Sequence, residues 1–223
     1  MIGTIRTFWK GFGLQRAITH VALVALTVAA LYAGTLYWPT AGMIFIGTEV
    51  FGYLCAFLLA ATLLIGPLNL LRKRFNPVNI DLRRDTGIWS ALTGMAHVVF
   101  AILRDTRGNI LMLFLSRQGG LLLDANGISN DLGLLAFILL ILLLVLSNQF
   151  SLRKLKGKRW KLIQRFNYLL VPLAFLHTFI YERLSGRERP FVDAVALAVF
   201  ALLIAQFIGV NTYQKRKAEQ LRR

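Results

Sequence analysis

The chain contains three histidines, His20, His97 and His177, and the last two lie well inside long apolar runs. An ionisable group is costly to keep in hydrocarbon, so a histidine there points to function more strongly than one in a loop. Neutral imidazoles on two facing helices can present nitrogen lone pairs to one iron from opposite sides, as a bis-imidazole haem requires. The same pair also suits a proton relay or a polar packing contact in a non-redox transporter or assembly factor.

Depth favours pairing of His97 with His177. At ~1.5 Å of rise per residue, His97 lies ~10 Å below Arg104 and His177 ~8 Å below Glu182, which brings both to a similar level. Phe100, Phe175, Phe179 and Tyr181 are the aromatic candidates for enclosing a porphyrin, and Gly87 and Gly94 for letting something bulky approach the helix of His97. The single cysteine, Cys55, rules out an internal disulfide, a Cys-based zinc site and covalent haem attachment through Cys-x-x-Cys-His.

The elements that carry these residues are set by composition. Of the 223 residues 57% are hydrophobic, yet 26 Lys and Arg stand against 10 Asp and Glu, a net charge of +16. The apolar residues come in unbroken runs such as Leu134 to Leu146 rather than in the periodic faces of a soluble basic domain, which argues against nucleic acid and for lipid. Runs at about 19–38, 44–68, 87–103, 132–149, 163–181 and 190–211 approach the roughly 20 residues needed to cross a bilayer. Backbone groups in lipid must be satisfied within the segment, so these are helices and the fold class is all-α. The first run extends to Trp38, too long for a signal-peptide core, and is expected to stay as an uncleaved span.

Charge fixes the expected orientation. The N-terminus, the 72–84 loop, the 150–165 connection and the tail after Asn211 hold 3, 5, 7 and 5 Lys or Arg, and the alternate loops hold the other six. The positive-inside rule then puts both termini in the cytoplasm, which demands an even number of spans, and six satisfies it. The expected organisation is a cytoplasmic segment 1–18, a six-helix domain 19–211 and a basic tail 212–223, with no repeat and no soluble domain for a nucleotide fold. His20 falls near the cytoplasmic end of the first span, where it can sit among headgroups. The outward connection 104–131 includes Ile110 to Leu115, suited to lying along the membrane surface. Its Asp124-Ala-Asn-Gly127 lacks the closing Glu of a calcium loop and reads as a turn.

With these residues in view, the chain resembles the haem-binding membrane subunit family of bacterial protein-methionine-sulfoxide reductase, within the wider ferric-reductase-like transmembrane domain. The resemblance covers most of residues 57–181. It runs through Ala61-Thr-Leu-Leu-Ile-Gly-Pro-Leu68, then Arg83-Arg84-Asp-Thr-Gly87-Ile-Trp89 with His97 eight residues on, then Gly157-Lys-Arg-Trp160, Tyr168 and His177. It implies a multi-pass protein of the bacterial inner membrane that binds b-type haem through His97 and His177, with Arg83, Arg84 and Trp89 of the shared motif as further cofactor-binding candidates. It also implies an electron-transfer subunit rather than a self-contained enzyme. Electrons would pass from a cytoplasmic flavin reductase, flavin (FMN or FAD) or quinol to a periplasmic acceptor protein or ferric iron.

Two positions depart from the family pattern. Gln164 stands four residues after Trp160, and Glu49 in the second span, where relatives carry histidine. One haem is therefore expected, in the outer half, and another carrier near the cytoplasmic face. The cationic stretch Arg153 to Lys161 is suited to attracting flavin phosphate or an acidic partner there, besides serving as topological charge.

Overall fold

The computed structural model describes residues 13–71, 80–116, 118–184 and 190–221. The expected basic positions at 6, 10, 72–74, 117, 187, 189, 222 and 223 lie outside them. Seven α-helices follow in order: α1 Leu14–Tyr37, α2 Met43–Leu71, α3 Ile80–Thr106, α4 Ala125–Leu146, α5 Gln149–Gln164, α6 Asn167–Phe179 and α7 Pro190–Leu221. Among the described residues there is no strand, only an isolated bridge between Leu115 and Leu121. The protein is a membrane helical bundle.

Among the described residues five helical stretches are long and apolar enough to cross a membrane: Leu14–Tyr37, Met43–Leu68, Asp81–Thr106, Ala125–Leu146 and Val192–Arg216. The run expected at 163–181 is divided differently. Asn148 accepts a hydrogen bond from the Ser151 N–H at 2.8 Å and so starts a separate helical segment, α5, kinked at Lys156 (φ 55°), over the basic stretch that sequence alone renders as a connection. Trp160 Nε1 donates to Leu146 O at 2.9 Å and ties α5 back to the end of α4. The chain then re-enters as α6, only 13 residues long, and continues through a five-residue π-turn, Ile180–Leu184. Neither α6 nor this turn is among the five, so the described residues hold five such helices where the sequence predicts six crossings.

α2 packs most extensively on α3 and next on α7, while α4 packs on α6. Leu59, Leu63, Ala91, Ala136, Leu140, Leu143, Leu170, Val171 and Leu202 form the shared core. A smaller cluster of Ile46, Val50 and Leu54 receives Ala30, Leu31 and Trp38. The outward apolar side chains of α1 and α7, such as Val21, Tyr32, Phe200 and Phe207, are exposed within the protein, as lipid-facing residues must be. Pro67 inside α2 has no N–H for the carbonyl of Leu63, and Gln206 of α7 supplies the missing donor at 2.9 Å.

At the end of α3 the chain reverses through Arg107 (φ 52°) and Gly108 (φ 97°). It then forms a 3₁₀ turn, Ile110–Leu113, which Asn130 of α4 holds through Nδ2 to Leu113 O at 2.9 Å. The Asp124 side chain caps α4 by accepting from Gly127 N–H at 2.9 Å.

Candidate functional site

α3 carries His97 and α6 carries His177, and the bundle brings the two rings together. Their centroids are 6.1 Å apart and their planes 75° from parallel. His97 Nδ1 lies 2.8 Å from Thr48 O, and His177 Nδ1 lies 2.8 Å from Ser129 O. A backbone carbonyl can only accept, so each Nδ1 carries the proton and donates it, leaving Nε2 as the nitrogen with a free lone pair. Ser129 adds a hydroxyl that donates to His177 O at 2.9 Å, with its Oγ also 3.1 Å from His177 Nδ1.

Two imidazoles bound to one metal from opposite sides, each through a nitrogen about 2 Å from it, have ring centres roughly 6 Å apart. The observed separation matches that requirement. The donor set therefore fits a metal held between two neutral imidazoles, and no third histidine, cysteine or carboxylate joins it among the described residues.

Both histidines line a cavity of about 240 Å³ between α2, α3, α4 and α6. Its walls are mostly apolar, and its aromatic side chains are Tyr53, Phe114, Phe137 and Tyr181. Of the four aromatics singled out from the sequence only Tyr181 takes part. Phe100 stacks on Phe51, and Phe175 on Phe179, outside the lining. The connection after α3 closes one end of the cavity with Ile110, Leu113 and Phe114. That is its structural role in addition to any contact with the membrane surface.

Polar groups gather at the same end. Arg104, two helical turns beyond His97, places Nη1 2.8 Å from buried Glu49 Oε1, Nε 2.7 Å from Asp105 Oδ1 and Nη2 2.6 Å from Tyr181 Oη. Glu49 is thus the counter-ion of an arginine in this protein. The π-turn adds one residue to the helical repeat just after His177 and presents Tyr181 and Glu182 to the cavity.

The ferric reductase like transmembrane component family matches residues 51–181, a stretch that contains both histidines, most of α2 and all of α3, α4 and α6. The chain belongs to this family. Among its relatives are proteins named protein-methionine-sulfoxide reductase heme-binding subunit MsrQ, from Salmonella paratyphi B, Salmonella newport and Salmonella enteritidis. Each is 31% identical over 150 residues, covering 67% of this chain and 70% of the relative.

The remaining candidates of this ferric-reductase-like domain stand apart from the cavity. Arg84 Nη2 donates to Asp81 Oδ1 at 3.0 Å on its own helix, and Arg83 is half-buried beside it. Trp89 Nε1 donates to His20 Nδ1 at 2.8 Å, which joins α3 to α1. Below them Arg16 forms a two-point ion pair with fully buried Asp85, at 2.9 Å from Nε and 2.6 Å from Nη2. His20 therefore belongs to an α1–α3 polar junction, with its Nε2 3.7 Å from Asp85. Arg83, Arg84, Trp89, His20 and Gln164 do not line the His97–His177 cavity.

Sequence reasoning missed Gly52 and Gly133. A Cβ on Gly52 would stand 2.8 Å from His97 Nδ1, and one on Gly133 would stand 2.8 Å from His177 Nδ1. Gly87 and Gly94 were the glycines expected to matter. A Cβ at Gly87 would make only ordinary contact with Thr62, whereas Gly94 both lines the cavity and packs closely on Leu140 and Cys55. A Thr or Ser stands four residues before each glycine, Thr48 and Ser129, but the same spacing recurs at Thr62–Gly66 and Ser90–Gly94, so the sequence carries no signal that singles out the pair.

Proposed function

We propose that this protein is the haem b-carrying membrane subunit of an oxidoreductase system, with His97 and His177 as the two axial ligands. The observation that carries this reading is the pair of facing imidazoles, each with Nδ1 engaged by a helix carbonyl and centred 6.1 Å from the other. The relatives' name, heme-binding subunit, supports it from an independent direction.

Haem bound there would supply a one-electron ferric–ferrous couple. The chain supplies the rest. His97 and His177 would hold the haem iron through their Nε2 atoms, and the mostly apolar lining would limit access of water to it. The donor on the cytoplasmic side is a flavin, a flavin reductase or a quinol, drawn in part by the basic stretch Arg153 to Lys161. The acceptor on the periplasmic side is a methionine-sulfoxide reductase catalytic subunit, which the relatives' name favours, or ferric iron. Arg83, Arg84 and Trp89, if they serve a cofactor, serve one at the inner end of α3 and not the pair at His97 and His177.

The test is the visible spectrum of the purified protein before and after dithionite, for the wild type and for His97→Ala and His177→Ala, with pyridine haemochrome quantification. The expected result is a low-spin b-type spectrum at about one haem per chain, lost or turned high-spin in either variant. A wild type that stays colourless after haem supply during expression overturns the reading in favour of a polar relay or packing pair.

A further inference from the structure

The two histidines are held by one device built twice. Thr48 and Ser129, whose carbonyls hold His97 and His177, each stand one helical turn before a glycine, Gly52 on α2 and Gly133 on α4. In a regular α-helix the carbonyl of residue i accepts from the N–H of residue i+4. Each imidazole therefore approaches a carbonyl from beside the residue that already donates to it. Only a missing side chain leaves room for that approach. A Cβ at Gly52 would stand 2.8 Å from Nδ1 and 3.0 Å from Cε1 of His97, and a Cβ at Gly133 would stand 2.8 and 2.9 Å from the same atoms of His177.

The agreement extends to the chain itself. Thr48 and His97 are 49 residues apart, Ser129 and His177 are 48, and in both cases the histidine lies on the helix that returns toward the end where the glycine helix began. Thr62 and Ser90 likewise stand one turn before Gly66 and Gly94, but neither of those glycines faces a histidine ring. Gly66, also on α2, has open space where a Cβ would go, and Gly94 meets Leu140 and Cys55.

We propose that Gly52 and Gly133 are the positioning residues of the two ligands, each fixing the Nδ1-protonated form and the ring plane of one imidazole from a helix that carries no ligand itself. The role as ligands rests on the haem reading above; the seating of the rings does not. A ring whose Nδ1–H is held by a carbonyl is a more basic donor through Nε2, and partners of this kind typically affect metal affinity by about 10- to 100-fold. A more basic donor also favours ferric over ferrous iron, so loss of a seat raises the midpoint potential.

The experiment uses the full chain in detergent with ¹⁵N-labelled histidine, which gives only three side chains to assign, in its reduced and hence diamagnetic form when haem is bound. The wild type should show Nδ1-bound protons on His97 and His177. Gly52→Ala should remove that of His97 alone, Gly133→Ala that of His177 alone, and Gly66→Ala neither. In haem-loaded protein the two seat variants should lose about 10- to 100-fold in haem affinity, with a raised midpoint potential in what remains bound.

A stability cycle guards against variants that fail to fold. Gly52→Ala should lower Tm, or abolish folding, in the wild type and in the His177→Ala background, yet cost little in the His97→Ala background; Gly133→Ala should behave the same way toward His177. The proposal is overturned if both alanine variants keep both Nδ1 protons, or if they damage the fold equally with and without the facing histidine. A colourless wild type defeats the haem assignment alone, because the tautomer measurement and the cycle need no haem.

Discussion

Glu49 and Arg104 form a buried ion pair, 2.8 Å apart, at the end of the cavity that holds His97 and His177, with Glu49 only 7% exposed. Arg104 is shared with Asp105 and Tyr181, so it links α2, α3 and the π-turn after α6. Removing the arginine leaves Glu49 charged and unpaired in a low-dielectric site, which typically costs about 3–5 kcal/mol. Arg104→Ala should therefore lower Tm in detergent strongly. Glu49→Ala should cost less, because the arginine keeps two partners, and Arg104→Ala with Glu49→Ala should recover part of the loss. Additive losses in the double variant would show that the pair is not coupled.

On the proposed function the two imidazoles would hold one iron together, so loss of either would remove one of its two protein ligands. His97→Ala and His177→Ala should each abolish the low-spin spectrum, and the double variant should be no worse than the more severe single one. Retention of the low-spin bands in either single variant would mean that another residue of the cavity takes the vacant position.

How much of this was legible before the structure follows from where each signal resides. His97 and His177 stand out in sequence because a histidine in an apolar run is conspicuous by itself, and their similar depth follows from helical rise alone. The bundle was legible from runs such as Leu134 to Leu146, which no other membrane architecture accommodates. Gly52 and Gly133 were not, because a glycine shows its use only against whatever packs on it, and that requires knowing that α2 faces α3 and α4 faces α6. The same holds for Glu49, whose partner lies 55 residues away. α5 was read as a connection because its charged residues hide a helix that Asn148 and Trp160 anchor from either end.

Arg16 and Asp85 form the corresponding anchor at the other end of the bundle. Asp85 is wholly inaccessible and α1 otherwise buries little of itself, so this pair and the Trp89–His20 hydrogen bond carry much of the attachment of α1 to α3. Arg16→Ala strands the carboxylate, at about 3–5 kcal/mol. Trp89→Phe loses one hydrogen bond, about 1 kcal/mol. Hydrogen exchange should show the N-terminal half of α1 opening in Arg16→Ala while the helices around the cavity stay protected. Uniform loss of protection would instead make the pair part of the common core.

Gly94 separates packing from positioning. A Cβ there would lie 2.6 Å from Leu140 Cδ2 and 3.0 Å from Cys55 Sγ, both in the bundle core and neither on a histidine ring. Overpacking of this kind costs about 1–3 kcal/mol. Gly94→Ala should therefore lower Tm yet leave the His97 and His177 Nδ1 protons of any folded protein unchanged. Shortening the opposing side chain should relieve the strain, so Leu140→Val combined with Gly94→Ala should be more stable than the sum of the two single losses. Loss of the His97 Nδ1 proton in Gly94→Ala, as in Gly52→Ala, would mean that α3 transmits any core displacement to His97. Ring position would then depend on the packing of the whole helix and not on the seat at Thr48 and Gly52.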